Sequence, residues 1–107
     1  MQLAFESKRL RSICENEGEA EHEFGVAVAE SLKHRLADFH AALSPKDLIA
    51  GSPRLTDDCK SMTVDLSNGY HIIFAANHVK QPLTESNQLD WNKVSRIKIL
   101  SVENDNA

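Results

Sequence analysis

The stretch Met62-Thr63-Val64-Asp65-Leu66-Ser67-Asn68-Gly69-Tyr70-His71-Ile72-Ile73-Phe74 decides the fold. Its turn residues allow two pairings of its halves, and only one of them separates apolar from polar side chains. A two-residue turn at Asn68-Gly69 sets Leu66 against His71 and Asp65 against Ile72, mixing both faces. A three-residue loop Ser67-Asn68-Gly69, with Gly69 left-handed, sets Met62, Val64 and Leu66 against Phe74, Ile72 and Tyr70. One face is then wholly apolar or aromatic, and the other carries Thr63 and Asp65 opposite Ile73 and His71. The sequence therefore predicts a β-hairpin in which Asp65 and His71 are direct cross-strand neighbours.

Outward from the hairpin, Gln2 to Glu6 alternates polar and apolar, which suits a short strand with Leu3 and Phe5 on one face. Ser7 is a good N-cap for a helix carrying Leu10, Ile13, Cys14 and Ala20, with Phe24 closing the stripe before Gly25. Val28, Leu32, Leu36, Phe39 and Leu43 recur at intervals of three or four and predict a second amphipathic helix. Gly25 leaves almost no linker, so the two helices are expected to form a hairpin on one sheet. Ser44-Pro45-Lys46-Asp47 reads as a short helical turn, and the segment from Ser44 to Ser61 as mostly connection. Lys80 to Asn92 reads as a loop with a capped turn at Asp90-Trp91-Asn92. Val94 to Val102 is the last strand, with Ile97 and Ile99 on one face and Arg96, Lys98 and Leu100 on the other. The tail from Glu103 to Ala107 is polar and expected to fray. The expected fold is one α+β domain over residues 1–107: an N-terminal strand, a helical hairpin, then a three- to four-stranded antiparallel sheet.

With 41% hydrophobic and 26% charged residues, general disorder is excluded. No apolar run is long enough for a membrane helix, and Met1-Gln2-Leu3-Ala4-Phe5-Glu6 lacks the pattern of a signal peptide, so a soluble, cytoplasmic protein without a membrane partner is expected. Cys14 and Cys59 are read as free thiols, Cys14 inside a helix. The formal charge of -4 argues against nucleic-acid binding through overall charge, while leaving room for a local basic patch. Glu15, Glu17, Glu19, Glu21 and Glu23 read as a solvated face or, more sharply, as a dock for a basic segment. His22, His34 and His40 lie on helix surfaces with nothing grouping them as ligands, so neither a metal nor another cofactor is implied.

The set Ser7-Lys8-Arg9-Leu10-Arg11-Ser12-Ile13-Cys14-Glu15, Phe24-Gly25, Leu32-Lys33-His34-Arg35-Leu36, Val64-Asp65-Leu66 with Tyr70-His71-Ile72-Ile73-Phe74, and Leu89-Asp90-Trp91 resembles the RelE/ParE toxin superfamily, in particular its HigB-like or "plasmid maintenance killer" branch. The resemblance covers nearly the whole chain. It implies the toxin half of a toxin-antitoxin pair: a domain that enters the ribosome, cuts messenger RNA without a metal, inhibits translation, and is held inactive by a cognate antitoxin. Such cleavage needs a base for the 2'-hydroxyl proton, cations for the phosphorane charge and an acid for the leaving oxygen.

Tyr70 matches the family's hairpin tyrosine, while His71 stands where the toxins usually place arginine. Thr63 and Asp65 occupy a strand where the RelE branch places lysines. Asn104-Asp105-Asn106 fills the place of a terminal Asp-Tyr-His, so Asp105 is the one terminal group carried over. The candidate catalytic set is therefore Asp65, Tyr70, His71 and Asp105, and the RNA contacts Arg54, Lys60, Arg96 and Lys98. Asp65 beside His71 would fix the imidazole tautomer for acid-base work, or form an ordinary exposed cross-strand pair. Tyr70 and Trp91 read as core aromatics before they read as base-stacking platforms. Two functions stay open: an active messenger-RNA endonuclease, and a binding module on the same fold that engages an antitoxin-like partner or gyrase.

Overall fold

A computed structural model of the chain describes residues 1–105. Asn106 and Ala107, the end of the tail expected to fray, lie outside the described residues. The strands are β1 Gln2–Phe5, β2 Arg54–Leu55, β3 Ser61–Asp65, β4 Tyr70–Ala76 and β5 Arg96–Asn104; the helices are α1 Lys8–Glu15, α2 Glu17–Phe24 and α3 Val26–Ala41. Short 3-10 turns occupy Pro45–Asp47, Ser67–Gly69 and Trp91–Lys93. The class is α+β, as the sequence implied.

The helical part differs from the expected pair. Ser7 caps α1 as anticipated, its hydroxyl accepting from the Leu10 N–H at 3.1 Å. The helix then stops at Asn16, which adopts extended backbone (φ -124°, ψ 109°) and accepts the Glu19 N–H at 3.0 Å to start α2. Asparagine is a poor helix interior residue and a strong N-cap, and Glu17 and Glu19 in the next turn favour a helix start there. Gly25, at φ 89°, ends α2 and begins α3 with no linker, the tight connection its position suggested. Val28, Leu32, Leu36 and Phe39 are buried as their spacing predicts, whereas Leu43 is 83% exposed because α3 ends at Ala41. The α-amino group of Met1 donates to the carbonyls of Phe39, His40 and Ala42 at that helix end, satisfying acceptors that α3 leaves open.

The acidic run is largely consumed inside the helical layer. Glu17 pairs with Lys33 at 3.7 Å, Glu23 with Arg9 at 2.8 Å and Glu15 with Arg11 at 3.9 Å, and Glu19 accepts from the Ser12 hydroxyl at 2.6 Å. Except for the Arg11–Glu15 pair, which lies within α1, these contacts lace α2 to its neighbours, in keeping with a solvated face.

The sheet has five strands in the order β1-β5-β4-β3-β2: the four that follow the helices are antiparallel, at the upper end of the expected count, and the N-terminal strand joins them to make the sheet mixed. The first and last strands run side by side in parallel, Gln2 beside Arg96 through Phe5 beside Ile99, and the other pairs are antiparallel. The intervening helices supply the crossover that a parallel neighbour requires. The β3–β4 register matches the one derived from the hairpin: Met62 opposite Phe74, Val64 opposite Ile72 and Asp65 opposite His71. Between β4 and β5 the register slips at Ile73/Phe74, so that Phe74 faces Ile99 while Ile73 faces Ser101 and Leu100 is the extra residue.

The helices cover one face of this sheet. Phe39 stacks on Phe74 with ring centroids 5.0 Å apart, and Trp91 meets Phe74 edge-on at 6.4 Å. Leu32, Val64, Ile72, Ile97 and Ile99 complete a fully buried centre. The opposite face, built from Thr63, Asp65, His71, Ile73, Lys98, Ser101 and Glu103, contains no buried residue. Among the described residues, no helix is long and apolar enough to cross a membrane.

Candidate functional site

The hairpin turn positions the chemistry on the open face. Asn68 (φ 58°) and Gly69 (φ 78°) are both left-handed, one residue more than the loop was expected to need, and the Leu66 N–H donates to the Tyr70 carbonyl at 2.8 Å. Asparagine tolerates this conformation better than most residues, so the Asn-Gly order suits it. Two struts hold the turn. Ser31 of α3 accepts the Ser67 N–H at 3.1 Å while its hydroxyl donates to the Val28 carbonyl at 2.9 Å. On the other side the Asp105 N–H donates to the Gly69 carbonyl at 2.9 Å.

That second strut brings the end of the chain to the imidazole. Oδ1 of Asp105 lies 2.8 Å from Nδ1 of His71, whose side chain is only 12% exposed. The approach is off the N–H direction, so the contact is electrostatic rather than an aligned hydrogen bond. A carboxylate at Nδ1 favours the tautomer with its proton there and leaves Nε2 as the acceptor.

Asp65 sits opposite His71 in register, as expected, but its carboxylate is engaged elsewhere. Arg54 donates to it at 2.9 Å and is itself steadied on the Ser52 carbonyl at 3.0 Å. The acid at the imidazole is therefore Asp105. Tyr70 precedes His71 in the strand and so points to the opposite face, where it meets Phe24 edge-on with centroids 5.3 Å apart. The core reading of Tyr70 and Trp91 fits their surroundings.

The proposed RNA contacts divide between the ends of the sheet. Arg54 lies at the hairpin end with Asp65. Lys98 is opposite Ala75, four residues from His71 along β4, or about 13 Å at the usual strand rise. Arg96 lies beyond it on β5, and Lys60 precedes β3 at the same end, in a turn where Asp58 accepts its N–H at 2.9 Å. Lys98 is paired with Glu6 at 3.5 Å, whereas Arg96 and Lys60 form no ion pair among the described residues.

Sequence reasoning named both members of the His71–Asp105 pair but did not join them. The signal was the slip in apolar alternation on β5, Ile97 and Ile99 followed by Val102, which marks the bulge and carries Asp105 to the open face. Cys14 lies in α1 as expected but is half-buried rather than buried; desolvation first, then neighbouring Glu15, push it up to about 11. Cys59 is exposed on the β2–β3 turn.

Fold and site together define an α+β domain with one bare sheet face and an acid-imidazole pair at its hairpin end. Comparison with protein-family models, with curated proteins and with solved structures finds no match.

Proposed function

We propose that this chain is the toxin of a type II toxin-antitoxin pair, similar to the HigB-like branch of the RelE/ParE superfamily, and cuts messenger RNA on the ribosome. The observation that carries the reading is the His71–Asp105 pair, 2.8 Å apart on a sheet face that no helix covers. In this reading Nε2 of His71 takes the proton of the RNA 2'-hydroxyl. The 2'-oxygen attacks the adjoining phosphorus to close a 2',3'-cyclic phosphate, and the 5'-oxygen of the next nucleotide leaves, taking its proton from water. Asp105 orients the imidazole and balances its charge once it is protonated. Arg54 flanks the phosphate at the same end, and Arg96, Lys98 and Lys60 draw the strand toward the other. Tyr70, packed on Phe24 on the opposite face, is given no step in this scheme.

The experiment is induced expression in cells lacking the cognate antitoxin, with cleavage of ribosome-bound message as the readout. Growth should arrest and message should be cut. His71→Ala should lower cleavage by about 100-fold or more, the scale of a lost general base, and restore growth. Arrest that persists unchanged in His71→Ala, or unimpaired growth with the native chain, would overturn the nuclease reading.

A second reading has its own observation. Arg54 and Lys98 are held by Asp65 and Glu6, which lowers the positive charge available to a phosphate backbone. A toxin-fold module that binds an antitoxin-like protein or gyrase without cutting RNA fits that balance. Purified chain that binds such a partner and leaves ribosome-bound message intact would favour it.

A further inference from the structure

The end of the sheet away from His71 holds a row of three polar side chains. Gln2 of β1 lies beside Arg96 of β5, and the Asn77 N–H donates to the Arg96 carbonyl at 2.8 Å, carrying the β4 pairing one residue past Ala76. Their neighbours Leu3, Ile97 and Ala76 pack against the core, so alternation turns Gln2, Arg96 and Asn77 together onto the uncovered face. With His78, Leu3, Ala4 and Val79 the row encloses a hollow of about 330 Å³, which Ala4 in the next row is too short to fill.

His78 brings a donor that the sheet itself fixes. Its Nε2 accepts the Ser95 N–H at 3.1 Å and the Arg96 N–H at 3.3 Å. A ring nitrogen that accepts carries no proton, so the proton of the neutral imidazole is on Nδ1, which is therefore a donor. The hollow thus gathers the Arg96 guanidinium, Nδ1–H of His78 and the amides of Gln2 and Asn77. Among the described residues none of these groups meets a partner, and no carboxylate lines the hollow. Glu6, further along the face, is held by Lys98 at 3.5 Å. A concavity with one unpaired cation and several unengaged N–H donors favours a bound oxyanion.

We infer that this hollow binds a phosphate monoester. The donors arrive from three sides, β1, β5 and the end of β4, and a terminal phosphate offers three oxygens to meet them. A phosphodiester has two, and its chain must leave the hollow in two directions. The guanidinium supplies the charge, and the neutral donors fix the orientation. Asn77 stands six residues from His71 along the chain, about 20 Å at the usual strand rise, so the imidazole at the hairpin end takes no part. The inference goes beyond the nuclease reading, whose products are a cyclic phosphate and a 5'-hydroxyl rather than a monoester.

The probe is inorganic phosphate, titrated into the full chain and followed by calorimetry and by proton–nitrogen NMR. It should bind saturably and move the side-chain amide signals of Gln2 and Asn77, and the ring spectrum of His78 should show its proton on Nδ1. Dimethyl phosphate, a diester, should bind at least about ten-fold more weakly, as should phosphate to Arg96→Gln, the loss of one hydrogen bond to a charged group. Asn77→Asp, which sets a carboxylate in the hollow at unchanged size, should abolish binding; both side chains are exposed, so the circular dichroism of the chain is kept. His71→Ala should bind phosphate as the native chain does, so that this site and the nuclease reading fail separately. No saturable binding overturns the inference. So do a His78 proton on Nε2, equal binding of dimethyl phosphate, phosphate binding that survives Asn77→Asp, or binding that His71→Ala removes.

Discussion

Replacing Gly51 by alanine should destabilise the protein by about 2–6 kcal/mol, the sum of backbone strain of about 1–3 kcal/mol and overpacking of about 1–3 kcal/mol. Gly51 has φ +84°, a conformation costly for any residue with a Cβ. A Cβ there would also lie 2.5 Å from Val64 Cγ1 and 2.9 Å from the Asp65 carbonyl oxygen. Neither can yield: Val64 is fully buried in the core, and the oxygen belongs to a strand backbone. Gly25 is the internal control. It has φ +89° and nothing within 4 Å of the added methyl, so Gly25→Ala carries the strain without the clash. Urea unfolding of both variants, with an unchanged m-value, should show Gly51→Ala costlier by about 1–3 kcal/mol, the overpacking share alone. Against a total of about 5–15 kcal/mol that difference is readily measured. Equal losses in the two variants would refute the packing account. The Gly51 carbonyl also accepts the Asp65 N–H at 2.6 Å, so the same substitution should loosen the strand end that holds Arg54.

The remaining predictions concern caps, struts and two titrating groups, the half-buried Cys14 thiol and the Asp58 carboxyl. Asn16→Ala removes the α2 cap and should cost about 1 kcal/mol in chemical denaturation. Ser31→Ala leaves the Ser67 N–H without its acceptor and should cost about 1–3 kcal/mol, with faster hydrogen exchange at Ser67 and unchanged exchange in the middle of α3. Cys14 has its folded value raised from 9.0 to about 11, so the unfolded chain loses its proton first. Stability from this group is complete below pH 9 and is lost as pH rises to about 11; comparing denaturation of native and Cys14→Ala protein across that window should show the extra alkaline loss only in the native chain. Asp58 is shifted the other way, held below the usual carboxylate range by the Thr56 hydroxyl and then the Lys60 N–H. Its contribution should disappear as pH falls below about 4, and Asp58→Asn should lack that acid dependence in the same assay.

The hairpin was legible because only one loop length segregates its side chains, and the whole β3–β4 register followed from that test. The α3 stripe was legible up to Phe39 for the same reason of period. Three features were not. Asn16 breaks a helix whose apolar stripe runs on through Ala20, because capping overrides a periodicity that spans the break. Arg54–Leu55 is too short for alternation to register at all. The β5 bulge shifts one residue out of phase, and a strand read with strict alternation assigns every later side chain to the wrong face. In the site, the register placed Asp65 beside His71 correctly. It could not show that Arg54, from that missed two-residue strand, would claim the carboxylate.

Leu100 therefore acts as a spacer in the strict sense. Ahead of it, core-facing residues of β5 are odd-numbered; beyond it they are even. Flattening the bulge at unchanged chain length would impose simple alternation on Leu100, turning Ser101, Glu103 and Asp105 toward the apolar layer and Val102 toward solvent, whereas deleting the residue leaves each of them on its present face. The carboxylate beside His71 would be lost with the flattened bulge. The constraint at this position is thus on backbone shape rather than on length: a strand one residue shorter keeps the same faces, and an unbulged strand of the present length loses them.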